Sequence, residues 1–181
     1  MSNLRRSMMV AGRGSAIDWE RIARGMLDYT TPFDITGVEV TPTQYVMTRR
    51  GNATGVVTVK DGATEIGNGA FSNCLGLEAV ILPNTITKIN GDAFSSCKGL
   101  TSVNIPSSVT SIWSWAFNYC TGLPYIKIEA TTPPTLGAAN AFNNTTFPIY
   151  VPDASVAAYK AANNWSSLAS RIFPISDMPT T

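Results

Sequence analysis

Ala70-Phe-Ser-Asn-Cys74, Ala93-Phe-Ser-Ser-Cys97 and Ala116-Phe-Asn-Tyr-Cys120 are one phrase written three times at a spacing of 23 residues. Working outward, Phe71, Phe94 and Phe117 form one column and Cys74, Cys97 and Cys120 a second. Leu77, Leu100 and Leu123 form a third, and Ile66, Ile89 and Ile112 a fourth; Pro83 and Pro106 recur as well. A unit this short cannot bury its own apolar side, so the copies must stack into a solenoid. The alternation ending at Leu82-Pro83 and Ile105-Pro106 is a short strand with one face inward. Ile126-Lys-Ile128 is the same element in the third copy, and Val57-Thr-Val59 supplies an earlier rung. Strands recurring in equal register and direction pair in parallel, and a proline just past each one ends it without cutting a ladder bond. The isoleucine column marks a second, shorter extended segment.

The three thiols occupy one slot of successive units. Stacked coils lie about 5 Å apart, which predicts an internal column of small, weakly polar side chains that meet backbone groups at the bend. With no histidine and no CxxC, neither a redox nor a metal role has the environment it needs. No metal or cofactor is expected.

Residues 1–50 do not repeat. Trp19, Ile22, Ala23, Met26 and Leu27 follow helical spacing, which predicts an amphipathic helix over Ile17 to Leu27 with Arg21, Arg24 and Asp28 opposite. A β-like stretch follows from Phe33 to Met47. Such a helix is too short to be stable alone, so it docks on the solenoid, on a copy of itself or on another protein. Trp19, Ile22, Met26 and Leu27 are the candidate assembly residues, and a homo-oligomer is expected. Beyond Ile128 the pattern decays. Ala141-Phe142 restarts the phrase without a cysteine, and Phe147 to Val151 reads as a last strand. Asp153 is expected to cap a helix through about Ala162, a second helical piece to run from about Trp165 to Arg171, and Ile172 to Ile175 to close the chain. A solenoid needs a divergent unit over its last apolar coil, and residues 141–175 are assigned to it. The expected fold is a β-rich solenoid of leucine-rich-repeat type, with a short parallel sheet, a C-terminal helical cap and an N-terminal helix/β attachment segment. Its expected divisions are 1–50 for attachment, 51–130 for the solenoid and 131–181 for the degenerate last repeat and cap.

Composition narrows the function. The net charge of +1 gathers neither nucleic acid nor an anionic membrane, and no apolar run is long enough to span a bilayer. Met8 to Ala11 falls short of the apolar core of roughly 7–15 residues in a secretory signal, so no signal peptide is expected. Without histidine the usual general base is missing, and the carboxylates Asp61, Glu65, Glu78, Asp92 and Glu129 are scattered. A non-catalytic protein is expected.

Two surfaces stand out. Outward residues on the strands form the columns Thr58, Ile81, Asn104, Lys127 and Val56, Ala79, Ser102, Tyr125. Of these Ile81, Asn104, Tyr125 and Lys127 are the candidates for partner binding. The third unit also breaks its own rule. Trp113 stands where Gly67 and Asn90 stand, Trp115 where Gly69 and Asp92 stand, and Tyr119 where Asn73 and Ser96 stand. Such a cluster can stack on sugar rings or anchor a protein partner. Alternatively, it packs on the C-terminal cap or on residues 1–50 folded back.

The phrase Ile-Gly-x-x-Ala-Phe-x-x-Cys-x-x-Leu-x-x-Val-x-Ile-Pro resembles the BspA-type leucine-rich repeats of bacterial surface proteins. Ile66–Pro83, Ile89–Pro106 and a diverged copy at Ile112–Glu129 carry it. Tyr150 to Ile175 is similar to a closing segment found on such proteins in gut Bacteroidetes and their phages, and Arg5 to Asp28 is similar to leaders of phage-encoded proteins. The resemblance implies a scaffold for adhesion, for binding of host or matrix proteins, and for surface display. Three classes follow: a phage virion component (fibre or decoration protein) attaching to a host surface or glycan, a bacterial surface or secreted adhesin, and an intracellular interaction scaffold. The N-terminal resemblance, together with the absence of a readable export signal, favours the virion.

Overall fold

Each 23-residue unit makes one coil, and the successive repeats are bonded to one another along three lines. The computed structural model describes residues 53–59 and 61–179, with the backbone of Phe33–Asp34. The candidate assembly residues Trp19, Ile22, Met26 and Leu27, and the predicted helix that carries them, lie outside the described residues.

The first line is a seven-stranded sheet. It contains β1 (Phe33–Asp34), β2 (Thr54–Thr58), β4 (Gly76–Ile81), β6 (Ser102–Ile105), β8 (Ile126–Ile128), β10 (Ile149–Val151) and β11 (Ile172–Pro174), paired in that order. The second is a four-stranded sheet of two-residue strands, β3 (Glu65–Ile66), β5 (Lys88–Ile89), β7 (Ser111–Ile112) and β9 (Thr135–Leu136). All pairs are parallel, with Val80 beside Val103 and Ile89 beside Ile112. The predicted sheet is present, and the isoleucine column forms a sheet of its own.

The third line runs through the Ala-Phe turn. Phe71 N–H donates to Ala93 O (2.7 Å), Phe94 N–H to Ala116 O (2.8 Å) and Phe117 N–H to Ala141 O (2.8 Å). Inside it the rings of Phe71, Phe94, Phe117 and Phe142 are stacked, with centroids 5.2, 5.1 and 5.6 Å apart and planes within 14° of parallel. These distances lie in the favourable range for aromatic pairs. The thiols fill the adjacent slot. Cys97 Sγ donates to Phe71 O (2.9 Å) and Cys120 Sγ to Phe94 O (3.0 Å), so each satisfies a buried carbonyl of the preceding coil. The coils approach closely at the following glycines. A Cβ on Gly99 would collide with Leu75 O, and one on Gly122 with Lys98 O, which leaves only glycine room there.

The C-terminal unit differs from the expectation in three ways. The helix α1 is short (Val156–Ala161), preceded by a 3-10 turn at Asp153–Ser155; the second helical piece is a 3-10 helix, Ser166–Arg171. Asp153 caps neither of them. Its Oδ1 instead accepts the N–H of Ser176 at 3.1 Å and ties down the chain end. Hydrogen bonding from the Ser176 side chain, and then from this N–H, holds the Asp153 carboxyl below its usual range. The strand ending at Val151 is not the last, because Ile172–Pro174 adds in parallel beside it.

What closes the solenoid is a set of side-chain donors. Tyr159 OH donates to Ala130 O (2.7 Å), Trp165 Nε1 to Pro134 O (2.7 Å) and Asn164 Nδ2 to Leu136 O (2.9 Å). Arg171 donates to Phe147 O and Thr145 O, each at 3.0 Å, and stacks over the Phe147 ring. These carbonyls belong to the last coils, where no further coil brings N–H groups to meet them, and an unmet buried carbonyl is costly. Trp165 also covers the end of the phenylalanine stack, 5.8 Å from Phe142. Among the described residues no helix is long and apolar enough to cross a membrane.

The buried thiols make the fold sensitive to alkali. Burial pushes the Cys97 thiol far up and that of Cys120 up to about 12, from an ordinary value of 9.0. The folded chain therefore keeps protons that the unfolded chain loses. The contribution is complete below about pH 9 and declines as pH rises toward 12. Denaturant titrations at stepped pH should show this decline, and a disulfide-exchange reagent should label Cys97 and Cys120 only on unfolding.

Candidate partner-binding surfaces

The alternation of each strand sends one residue in and the next out. On the seven-stranded sheet Val57, Val80, Val103 and Ile126 are buried, while Ile81 is 54% exposed and Asn104 is exposed. Thr58 pairs with Ile81 and Asn104 with Lys127, as the sequence columns predict. The polar candidates are already engaged with one another. Asn104 Nδ2 and Lys127 Nζ both donate to Glu129 Oε1 at 2.8 Å. The Asn104 hydrogen bond, then that of Lys127, lowers the Glu129 carboxyl below its usual range. This face also carries an aromatic row that extends the second column beyond Tyr125. Tyr125 meets Tyr150 edge-on at 5.7 Å, and Tyr150 lies 6.1 Å from Phe173. Tyr150 pairs with Lys127 and Phe173 with Tyr150, so alternation in Phe147 to Val151 was the available signal. Phe173 was hidden because its strand was not expected.

The second surface lies on the turn after β7. Trp113, Trp115 and Tyr119 are 45%, 47% and 46% exposed, so none is swallowed by the C-terminal cap. Their backbone is unusual. The slot of Trp115 is left-handed in three successive coils, with φ of 62° at Gly69, 55° at Asp92 and 59° at Trp115. The slot of Tyr119 is left-handed too, at 62° in Asn73, 62° in Ser96 and 57° in Tyr119. Glycine and asparagine reach this region readily; for a bulky aromatic it is a true outlier. The turn is nevertheless held in place, since Tyr119 N–H donates to Asn143 O (3.1 Å) in the following coil. Trp113 is anchored differently. Its ring lies over Gly137, where a Cβ would come within 2.5 Å of Cε3.

The two surfaces do not merge: among the described residues no hydrogen bond or ring contact joins Trp113, Trp115 or Tyr119 to the candidates on the sheet. No group of three or more His, Cys, Asp or Glu side chains placed to hold a metal occurs among the described residues.

A family model described as BspA type leucine rich repeat region, in 6 copies, matches residues 52–155, more than half of the chain. Comparison with curated proteins gives no match.

Replacing Trp115 by glycine and Tyr119 by asparagine, the residues of the first unit, sets two effects against each other. Lost contact under half-covered rings destabilises, while relief of two left-handed aromatics returns about 1–2 kcal/mol each. Chemical unfolding of the double variant should fall within about 2 kcal/mol of the wild type, whereas Phe94→Ala in the stack should lose about 3–5 kcal/mol. A loss from the turn variant as large as that of Phe94→Ala would mean that the rings are structural.

Proposed function

Because the chain belongs to the BspA-type leucine-rich repeat family, whose repeats generally mediate protein interactions and are typically non-catalytic, we propose that it is a non-catalytic binding module. One observation carries this reading. Two large aromatics stand half exposed at backbone positions that favour glycine, aspartate or asparagine. Backbone strain of this kind clusters at functional sites. The turn bearing Trp113, Trp115 and Tyr119 is therefore the primary contact surface. The sheet row of Ile81, Asn104, Tyr125 and Lys127 is a secondary one, because its polar members already satisfy one another.

The module is a component of a phage virion, a fibre or decoration protein that presents its repeats to a host surface. This placement draws on the resemblance of the N-terminal segment to leaders of phage-encoded proteins. Residues 1–50, with Trp19, Ile22, Met26 and Leu27, serve assembly into a homo-oligomer or onto the particle. The family resemblance to bacterial surface proteins favours a second reading, a cell-surface adhesin.

Two measurements test the proposal. Antibody against the chain should label density-purified particles; label on intact bacterial envelopes and not on particles would replace the virion by the adhesin. Light scattering should give a defined oligomer for the full chain and a monomer for a chain beginning at Gly51. Equal monomeric masses would remove the assembly role of the first 50 residues.

A further inference from the structure

We infer that the turn face of the third and fourth coils binds a neutral saccharide, whose rings stack on Trp115 and Tyr119 and whose hydroxyls meet side-chain amides. The inference rests on the reading of that turn as the contact surface and names its ligand class.

The first argument is charge. From residue 99 to residue 152 the only charged residues are Lys127 and Glu129. These two stand on the sheet and neutralise each other at 2.8 Å. The turn of the third coil and its neighbour in the fourth therefore carry no charge of their own. The preceding coil brings both signs to the margin: Asp92, whose N–H donates to Ser114 O (3.0 Å), and the exposed Lys98, whose carbonyl lies against Gly122. On the other side Arg171 is already bonded to Thr145 of the fourth coil. A turn with no charge of its own, between margins of mixed sign, offers no cationic cluster to an anionic glycan or an acidic peptide.

The second argument is the polar groups between the rings. Tyr119 is flanked by Asn118 in its own coil and by Asn143 and Asn144 in the next. Asn144 Nδ2 donates to Asn118 Oδ1 at 3.0 Å across the coil boundary, on the exposed side. A primary amide offers two donors and two acceptor lone pairs, so this bond leaves most of the capacity of both amides to a ligand. A sugar presents both hydroxyls and faces of C–H groups. Amides answer the first and aromatic rings the second.

The third argument is the spacing. In Trp113-Ser-Trp-Ala-Phe-Asn-Tyr119 the exposed rings are interspersed with Ser114 and Asn118, and among the described residues no ring contact joins the three. A protein hot spot needs a continuous, desolvated centre sealed by its surroundings. Separate rings edged by hydroxyl and amide groups suit a ligand that is itself amphipathic at the scale of one ring. Their backbone is held before any ligand arrives, by the bond from Tyr119 N–H to Asn143 O, and Trp113 is seated on Gly137.

The test is native electrophoresis of the full chain in gels cast with yeast mannan, a mixed-linkage β-glucan, a galactan or, as the anionic control, alginate. At least one neutral gel should retard the protein at least twofold relative to a plain gel, with no loss at high salt because no charge is being screened. Trp115→Gly combined with Tyr119→Asn should abolish the retardation, with a melting temperature within several degrees of the wild type. No retardation in any neutral gel, retardation in alginate alone, or equal retardation of the double variant overturns the inference. So does a collapse of melting temperature in that variant, which would make the rings part of the fold. Sedimentation with intact bacterial cells separates the two levels of the reading. If the double variant loses cell binding while periodate-oxidised cells still bind the wild type, the turn contacts protein, and the saccharide inference alone falls. If the double variant sediments like the wild type, the turn is not the contact surface at all.

Discussion

Every feature of this molecule depends on one constraint: each coil must lie in register on the next. Backbone N–H groups of one coil meet carbonyls of its neighbour in both sheets and again in the Ala-Phe turn. A slip of one residue would exchange inward and outward faces and pull Phe94 off Phe71. The chain holds register even where its own repeat length fails. Leu136 lies beside Ile112 although the step is one residue longer than the repeat, and Phe142 still stacks on Phe117 after a further residue. By β10 the extra length has been removed, and Ile149 sits beside Ile126 at the original spacing. The turn absorbs the irregularity; the core columns do not.

The same constraint creates the problem at the end of the stack. A parallel solenoid has no intrinsic stop, because its final coil offers the same carbonyls that every earlier coil offers to a successor. Here Tyr159, Asn164, Trp165 and Arg171 take the place of backbone donors. Hydrogen-bond completion and burial of the last ring thus come from one short unit, with Trp165 serving both. Burial of the Tyr159 hydroxyl, which donates to a backbone carbonyl, also pushes its pKa far up.

Much of this was legible in the sequence, for a physical reason. Columns of identical residues at fixed spacing report stacking directly, so Phe71, Phe94 and Phe117, the three cysteines and the outward Thr58, Ile81, Asn104 and Lys127 could be placed without coordinates. The cap could not be placed in the same way. Its donors act on carbonyls 24 to 31 residues away, a pairing that no local pattern encodes. Asp153 looked like a helix cap because its position before an apolar helical stretch is the usual one; its carboxylate is instead drawn to Ser176 by the returning strand. Glu129 reads in the sequence as one scattered carboxylate at the end of a diverged copy, yet it is the acceptor that joins Asn104 and Lys127. The strain at Trp115 and Tyr119 did leave a trace. Of the four residues in those slots of the earlier units, Gly69, Asp92 and Asn73 are types that favour a left-handed backbone.

Display and stability are therefore handled by different parts of one coil. The inner columns and the inter-coil bonds fix the backbone so firmly that the turn can hold aromatics where the earlier units hold small residues. The most direct test of that account is native-state hydrogen exchange at the Phe94 and Ser96 amides, which donate to Ala116 and Asn118 of the next coil. If the turn ladder is the governing constraint, both amides exchange only through global unfolding, with the same opening free energy as the Val103 strand. Rapid exchange at Phe94 and Ser96 beside a protected β6 would show that the turns open independently, and that the sheets alone hold the coils together.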